Sequence, residues 1–104
     1  MKLSWTLRAK NDLLEIGRFI ARDKPGASRR WVEKLRQRAR KTIDMPLLGR
    51  KVPEINRDDV REVFLGNYRI VYLVEEKRII ILMVFEGHRL LPNSIVEMDN
   101  DGLP

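Results

Sequence analysis

The chain has 104 residues, 43% of them hydrophobic and 35% charged, a length that supports one domain around one modest core. It lacks cysteine and has a single histidine, His88, which excludes disulfides and thiol chemistry, argues against a zinc site, and leaves no metal or cofactor expected. No apolar run nears the roughly 20 residues of a membrane span and the opening residues show no signal-peptide pattern, so a cytoplasmic protein with no membrane role is expected, while 21 Lys plus Arg against 15 Asp plus Glu, a net charge of +6, points to an acidic protein or nucleic-acid partner.

Leu3-Ser4-Trp5 alternates apolar and polar, as a short strand does. Thr6 can cap the helix that follows. From Leu7 to about Arg22, Ala9, Leu13, Ile16 and Ile20 recur at three- and four-residue steps and draw one apolar stripe, which Phe19 widens. Asp23-Lys24-Pro25-Gly26 breaks the pattern, and Pro25 suits the first turn of a second helix. That helix is expected from Pro25 to Asp44, with Ala27, Trp31, Leu35, Ala39 and Thr42 inward and Val32 and Ile43 beside them. Trp5 and Trp31 lie on apolar stripes and are expected in the core. The opposite surface carries Arg29, Arg30, Lys34, Arg36, Arg40 and Lys41 against Glu33 and Asp44, which is either a solvated face or an electrostatic footprint. So short a turn between two helices makes a helical hairpin.

Met45-Pro46 ends the helix, and Leu47 to Asp59, with Gly49, Pro53 and Asn56, reads as a loop. The period then changes to two. Val60–Leu65, Tyr68–Val74 and Ile79–Phe85 are rich in β-branched and aromatic residues, and Gly66-Asn67 and Glu75 to Arg78 are hairpin-length connections. The expected order is β-α-α-β-β-β, an α+β fold with the helical hairpin packed on an antiparallel sheet. Residues 1–97 form the expected single domain, and 98–104 a loose acidic tail.

Trp5-Thr6 with Ala9, Pro46 to Glu54, Val60 to Val63 with Tyr68 to Tyr72, and Ile79 to Val84 with His88-Arg89 are together similar to stretches of RelE/ParE toxins. Trp5-Thr6, Ala9, Asp12-Leu13 and Ile16 resemble the family opening; Pro46 to Glu54 resembles its "P-x-x-G-R-x-V-P-E"; Val60-Arg61-Glu62-Val63 with Tyr68-Arg69-Ile70-Val71-Tyr72 resembles its "R-E … Y-R-I-V-Y" hairpin; Ile79 to Val84 with His88-Arg89 resembles its closing stretch. The resemblance spans residues 3 to 89 in order. It implies the toxin of a type II toxin–antitoxin, plasmid stabilisation-like system, partnered by a cognate antitoxin. Some members of this superfamily cut messenger RNA on the ribosome, whereas the ParE branch poisons DNA gyrase.

Cleaving RNA by 2′-hydroxyl attack needs a base, cations for the pentavalent phosphate and an acid for the leaving oxygen. In the RNA-cutting members, strand lysines, two arginines and a C-terminal tyrosine share these duties. Arg69 and Arg89 match the arginines, but Val60 and Glu62 stand at the lysine positions and Ile95 near that of the tyrosine; no tyrosine follows Tyr72. A two-residue Gly66-Asn67 turn sets Arg69 opposite Phe64 and diagonal to Glu62 on one sheet face, where a carboxylate would neutralise it and repel phosphate. The resemblance thus leans toward a gyrase-binding module rather than an enzyme. Its target contacts would be Arg69, Arg89, Leu90 and Leu91, and Leu7, Leu14 and Ala21 form a second apolar stripe where an antitoxin helix can dock. One alternative is a metal-independent mRNA endoribonuclease acting on ribosome and messenger RNA, with Arg69, His88, Arg89 and Glu62 as catalytic candidates. Another is a non-toxic remnant that only binds antitoxin.

Overall fold

Thr6 governs how the chain passes from strand to helix. In the computed structural model, which describes residues 1–87, β1 (Lys2–Trp5) runs directly into α1 (Leu7–Asp23). The Thr6 hydroxyl accepts the Ala9 N–H at 3.0 Å, capping the helix, and donates to the Leu82 carbonyl at 2.8 Å. Lys24 then links α1 to α2 (Pro25–Arg40), with Pro25 in the first turn. The helices close on Gly17: Ser28 Oγ donates to its carbonyl at 2.6 Å, and a Cβ there would lie 3.2 Å from Val32 Cγ2.

The α-helix stops short of the expected Asp44, and Lys41–Ile43 forms a 3-10 turn. The buried Thr42 hydroxyl donates back to the Ala39 carbonyl at 2.7 Å, which favours the tighter turn at the helix end. Within the segment expected to be a loop, Arg50–Lys51 forms a short strand, β2, paired antiparallel with β3 (Val60–Leu65). Two charged residues carry no apolar alternation, so the pattern could not announce it.

β3, β4 (Tyr68–Val74) and β5 (Arg78–Glu86) make the anticipated antiparallel meander, in a sheet of order β1-β5-β4-β3-β2. The sheet is mixed rather than wholly antiparallel, because β1 lies parallel to β5, with Lys2 opposite Arg78 and Trp5 opposite Ile81. Gly66, at φ 57°, fills the first central position of the β3–β4 turn, where a left-handed backbone is needed. In β5 a bulge leaves Leu82 without a partner between the Tyr72–Ile81 and Val71–Met83 pairs. The Leu82 carbonyl is the one that Thr6 takes. β1 stops at Trp5, and farther along β5 the Val84 N–H donates to Asp12 Oδ2 of α1 at 2.9 Å.

Two clusters stabilise the domain. Ala9 and Leu13 of α1 and Leu35 and Ala39 of α2 pack on Ile70, Tyr72, Ile79 and Ile81 of the inner sheet face. On the outer face Val52, folded over from the β2–β3 connection, joins Val60, Val71, Leu73, Ile80 and Leu82. Three aromatic expectations need correction. Phe19 is 60% exposed, because at about 100° per residue it stands roughly 90° round the helix from the centre of the buried stripe. Trp5 and Trp31 are only half-buried. Trp31 lies at the rim, edge-on to Tyr68 with ring centroids 6.2 Å apart, under the Gly66 turn.

Candidate functional site

Strand alternation turns Glu62 and Phe64 of β3, and Arg69 and Val71 of β4, to the sheet face away from the helices. The register pairs Arg69 with Phe64 and Glu62 with Val71, so Arg69 and Glu62 stand diagonally, as the turn length predicts. The two are nearly closed off from water: the Glu62 side chain is 0% exposed and that of Arg69 5%. Arg69 Nε donates to Glu62 Oε1 at 2.7 Å, and its Nη2 also meets that oxygen. Glu62 Oε2 accepts from Arg50 Nε at 2.5 Å. The far end of Arg69 forks onto Glu54, Nη1 to Oε2 at 3.1 Å and Nη2 to Oε1 at 3.2 Å. The guanidinium carbon of Arg69 lies 5.1 Å from the centre of the Phe85 ring, and that of Arg50 5.2 Å from Phe64.

Burial works against the charge on Arg69, but the hydrogen bonds and charges of Glu54 and Glu62 outweigh it and raise the guanidinium pKa. The hydrogen bond from Arg69 in turn holds the Glu54 carboxyl below its ordinary value. Two arginines thus meet two glutamates, and the quartet is neutral. All three guanidinium nitrogens of Arg69 are committed to carboxylates, so this side chain presents no free fork to a phosphate. Val60, at the other position where the RNA-cutting members carry lysine, is fully buried. Among the described residues no group of three or more His, Cys, Asp or Glu side chains could hold a metal ion, and no helix is long and apolar enough to cross a membrane.

The structure therefore brings together Arg69 and Glu62 from the sequence candidates. His88, Arg89, Leu90, Leu91 and Ile95 lie outside the described residues, as does the acidic tail 98–104. On α1, Leu7 and Leu14 are 57% and 55% exposed and Ala21 is half-buried, so this stripe borders solvent. Sequence reasoning missed Arg50 and Glu54, which complete the quartet. Both stand in the Pro46–Glu54 stretch quoted for its resemblance, where two charges flanking the buried Val52 were the available signal. It also missed Met45, Leu47 and Leu48, an exposed apolar run beyond α2.

The fold has solved counterparts. A structure from a chromosomal ParDE toxin–antitoxin system of P. aeruginosa superposes with a TM-score of 0.71 at 22% identity, covering 83% of this chain and 95% of that one. A mutant E. coli toxin RelE in the free state superposes with a TM-score of 0.61 at 15% identity, covering 96% and 94%. No curated protein matches. The family model described as "ParE toxin of type II toxin-antitoxin system, parDE" matches residues 3–91. A chain with this β-α-α-β-β-β-β order, matched by the family model over residues 3–91, belongs to the ParE toxin family of type II toxin–antitoxin systems.

Proposed function

We propose that this toxin acts in the cytoplasm by binding DNA gyrase rather than by cutting RNA, and that a cognate antitoxin neutralises it by covering the Leu7, Leu14 and Ala21 stripe of α1. The observation that carries the reading is the burial of Glu62 and Arg69 at the centre of a neutral quartet whose outer members, Arg50 and Glu54, reach solvent. An RNA-cutting centre needs cations aimed at the phosphate as its charge develops, and this face offers none that a carboxylate does not already hold. A poison that works by binding needs no tuned acid–base pair; a few arginine and apolar anchors suffice. Arg89, Leu90 and Leu91 supply a planar cation and two apolar side chains, and belong to the proposal as target contacts. Arg69 serves it indirectly, by fixing the outer sheet face.

The test adds the purified chain to a gyrase supercoiling reaction and, in parallel, to translating ribosomes. Supercoiling should fail while messenger RNA stays intact. Codon-positioned cuts would overturn the assignment and make Arg69, His88, Arg89 and Glu62 catalytic candidates. Neither effect, from a folded protein, would indicate a remnant that only binds antitoxin.

A further inference from the structure

The net charge of this chain sits on one segment, α2 with the turns at its two ends. Between Lys24 and Asp44 lie eight of the 21 cations and two of the 15 acids, a net of +6; the other 13 cations and 13 acids cancel. Arg29, Arg30, Lys34, Arg36, Arg40 and Lys41 are all exposed. At about 100° per residue they sweep an arc of roughly 160° on the outer side of α2, along a helix about 24 Å long. Within this group only Arg36 meets an acid among the described residues, Glu33 at a distant 3.9 Å. Elsewhere the arginines are largely paired: Arg8 with Asp12, Arg18 with Glu15, Arg57 with Asp59 and Arg78 with Glu75. Among the described residues, cations without an acid partner are thus densest on α2, while Lys2, Lys10, Arg22 and Lys77 stand singly elsewhere.

We propose that the outer face of α2 binds the phosphate backbone of duplex DNA. The chemistry of the face separates this ligand from an acidic protein. A protein interface needs a desolvated apolar centre, yet the exposed large apolar side chains lie elsewhere, on α1 (Leu7, Leu14, Phe19), beyond α2 (Met45, Leu47, Leu48) and on β3 (Phe64). Single-stranded nucleic acid is held on aromatic platforms, and the aromatic residue of α2, Trp31, is turned against Tyr68. A rigid row of cations with neither feature suits a duplex backbone. The wide major groove of B-form DNA admits a helix, whereas the deep, narrow groove of A-form RNA does not. This surface is separate from the outer sheet face, and the inference does not rest on gyrase being the target.

The experiment uses the full chain, free of partner, and a fluorescent 24-base-pair DNA duplex of arbitrary sequence, with binding followed by anisotropy from 50 to 200 mM salt. One variant combines Arg30→Gln, Lys34→Gln, Arg40→Gln and Lys41→Gln. A control with the same change in net charge combines Lys2→Gln, Lys10→Gln, Arg18→Gln and Lys77→Gln, all exposed and off α2. Circular dichroism melts establish that both fold. The wild type should bind with a log–log salt slope of about −3 to −5, and the α2 variant should lose at least about tenfold in affinity with a slope shallower by about 3. The control should stay within about threefold of wild type. Equal loss in both variants would reduce the effect to net charge and overturn the inference. So would tighter binding to a single-stranded RNA than to the duplex, or an α2 variant that binds DNA normally but fails to bind antitoxin.

Discussion

Replacing Arg69 by methionine should unfold this domain far more readily than a surface change would. The substitution keeps much of the volume but leaves the Glu62 carboxylate, wholly enclosed, with only the half-exposed Arg50 as a partner. It also strips Glu54 of its fork. Removing one member of a buried pair costs about 3–5 kcal/mol, because the remaining charge is neither solvated nor compensated. The low end applies here, since Arg50 still holds one Glu62 oxygen, so the expected loss is about 3 kcal/mol, or roughly 15 °C in Tm for a domain of this size. Urea denaturation followed by circular dichroism at pH 7 measures it. Converting Glu62→Leu in the Arg69→Met background should recover most of the loss, since an apolar pair of similar volume carries no desolvation penalty. A single variant within about 1 kcal/mol of wild type, or a double variant no better than the single, would refute the reasoning that Glu62 and Arg69 form a buried, mutually dependent pair.

Other consequences are as direct. The Glu54 carboxyl is lowered by Arg69, so its contribution to stability is fully present above its ordinary value of 4.5 and lost as pH falls through the lower folded value; Glu54→Gln should be less stable than wild type at pH 7, and the two stability curves should converge in acid. Thr6→Ala loses both the cap on Ala9 and the bond to the Leu82 carbonyl, and should cost about 1–2 kcal/mol in the same denaturation assay. Leu14→Glu, on a side chain that already borders solvent, should leave the melting curve unchanged while weakening antitoxin binding at least about tenfold by calorimetry; unchanged affinity would remove the α1 stripe from the proposed interface.

Much of this architecture is written in local patterns. The period change at Val60, the two-residue Gly66-Asn67 turn and the Thr6 cap each follow from rules that act within a few residues, and the diagonal of Glu62 and Arg69 follows from the turn alone. What was not legible depends on distance. β2 exists because Glu62 and Arg61 offer Arg50 and Lys51 a backbone to pair with, a fact of tertiary placement. Arg50 and Glu54 read as loop charges until the loop folds over the outer face. Phe19 misled because a helical stripe fixes which residues share a face but not how wide the covering sheet is. The β5 bulge left no mark in a run that is apolar throughout.

The contact between Asp12 and Val84 bears on how such a toxin persists alone. A strand border whose partner ends early is a template on which a second molecule can add its own strand, and repeated addition builds insoluble assemblies. β1 covers β5 only as far as Ile81, and at Val84 the amide beyond that cover is already occupied by a carboxylate from α1. An incoming chain would have to displace an intramolecular acceptor before it could begin to zip. The same aspartate that anchors the first helix therefore acts as a plug on the sheet margin, guarding the free molecule against strand addition.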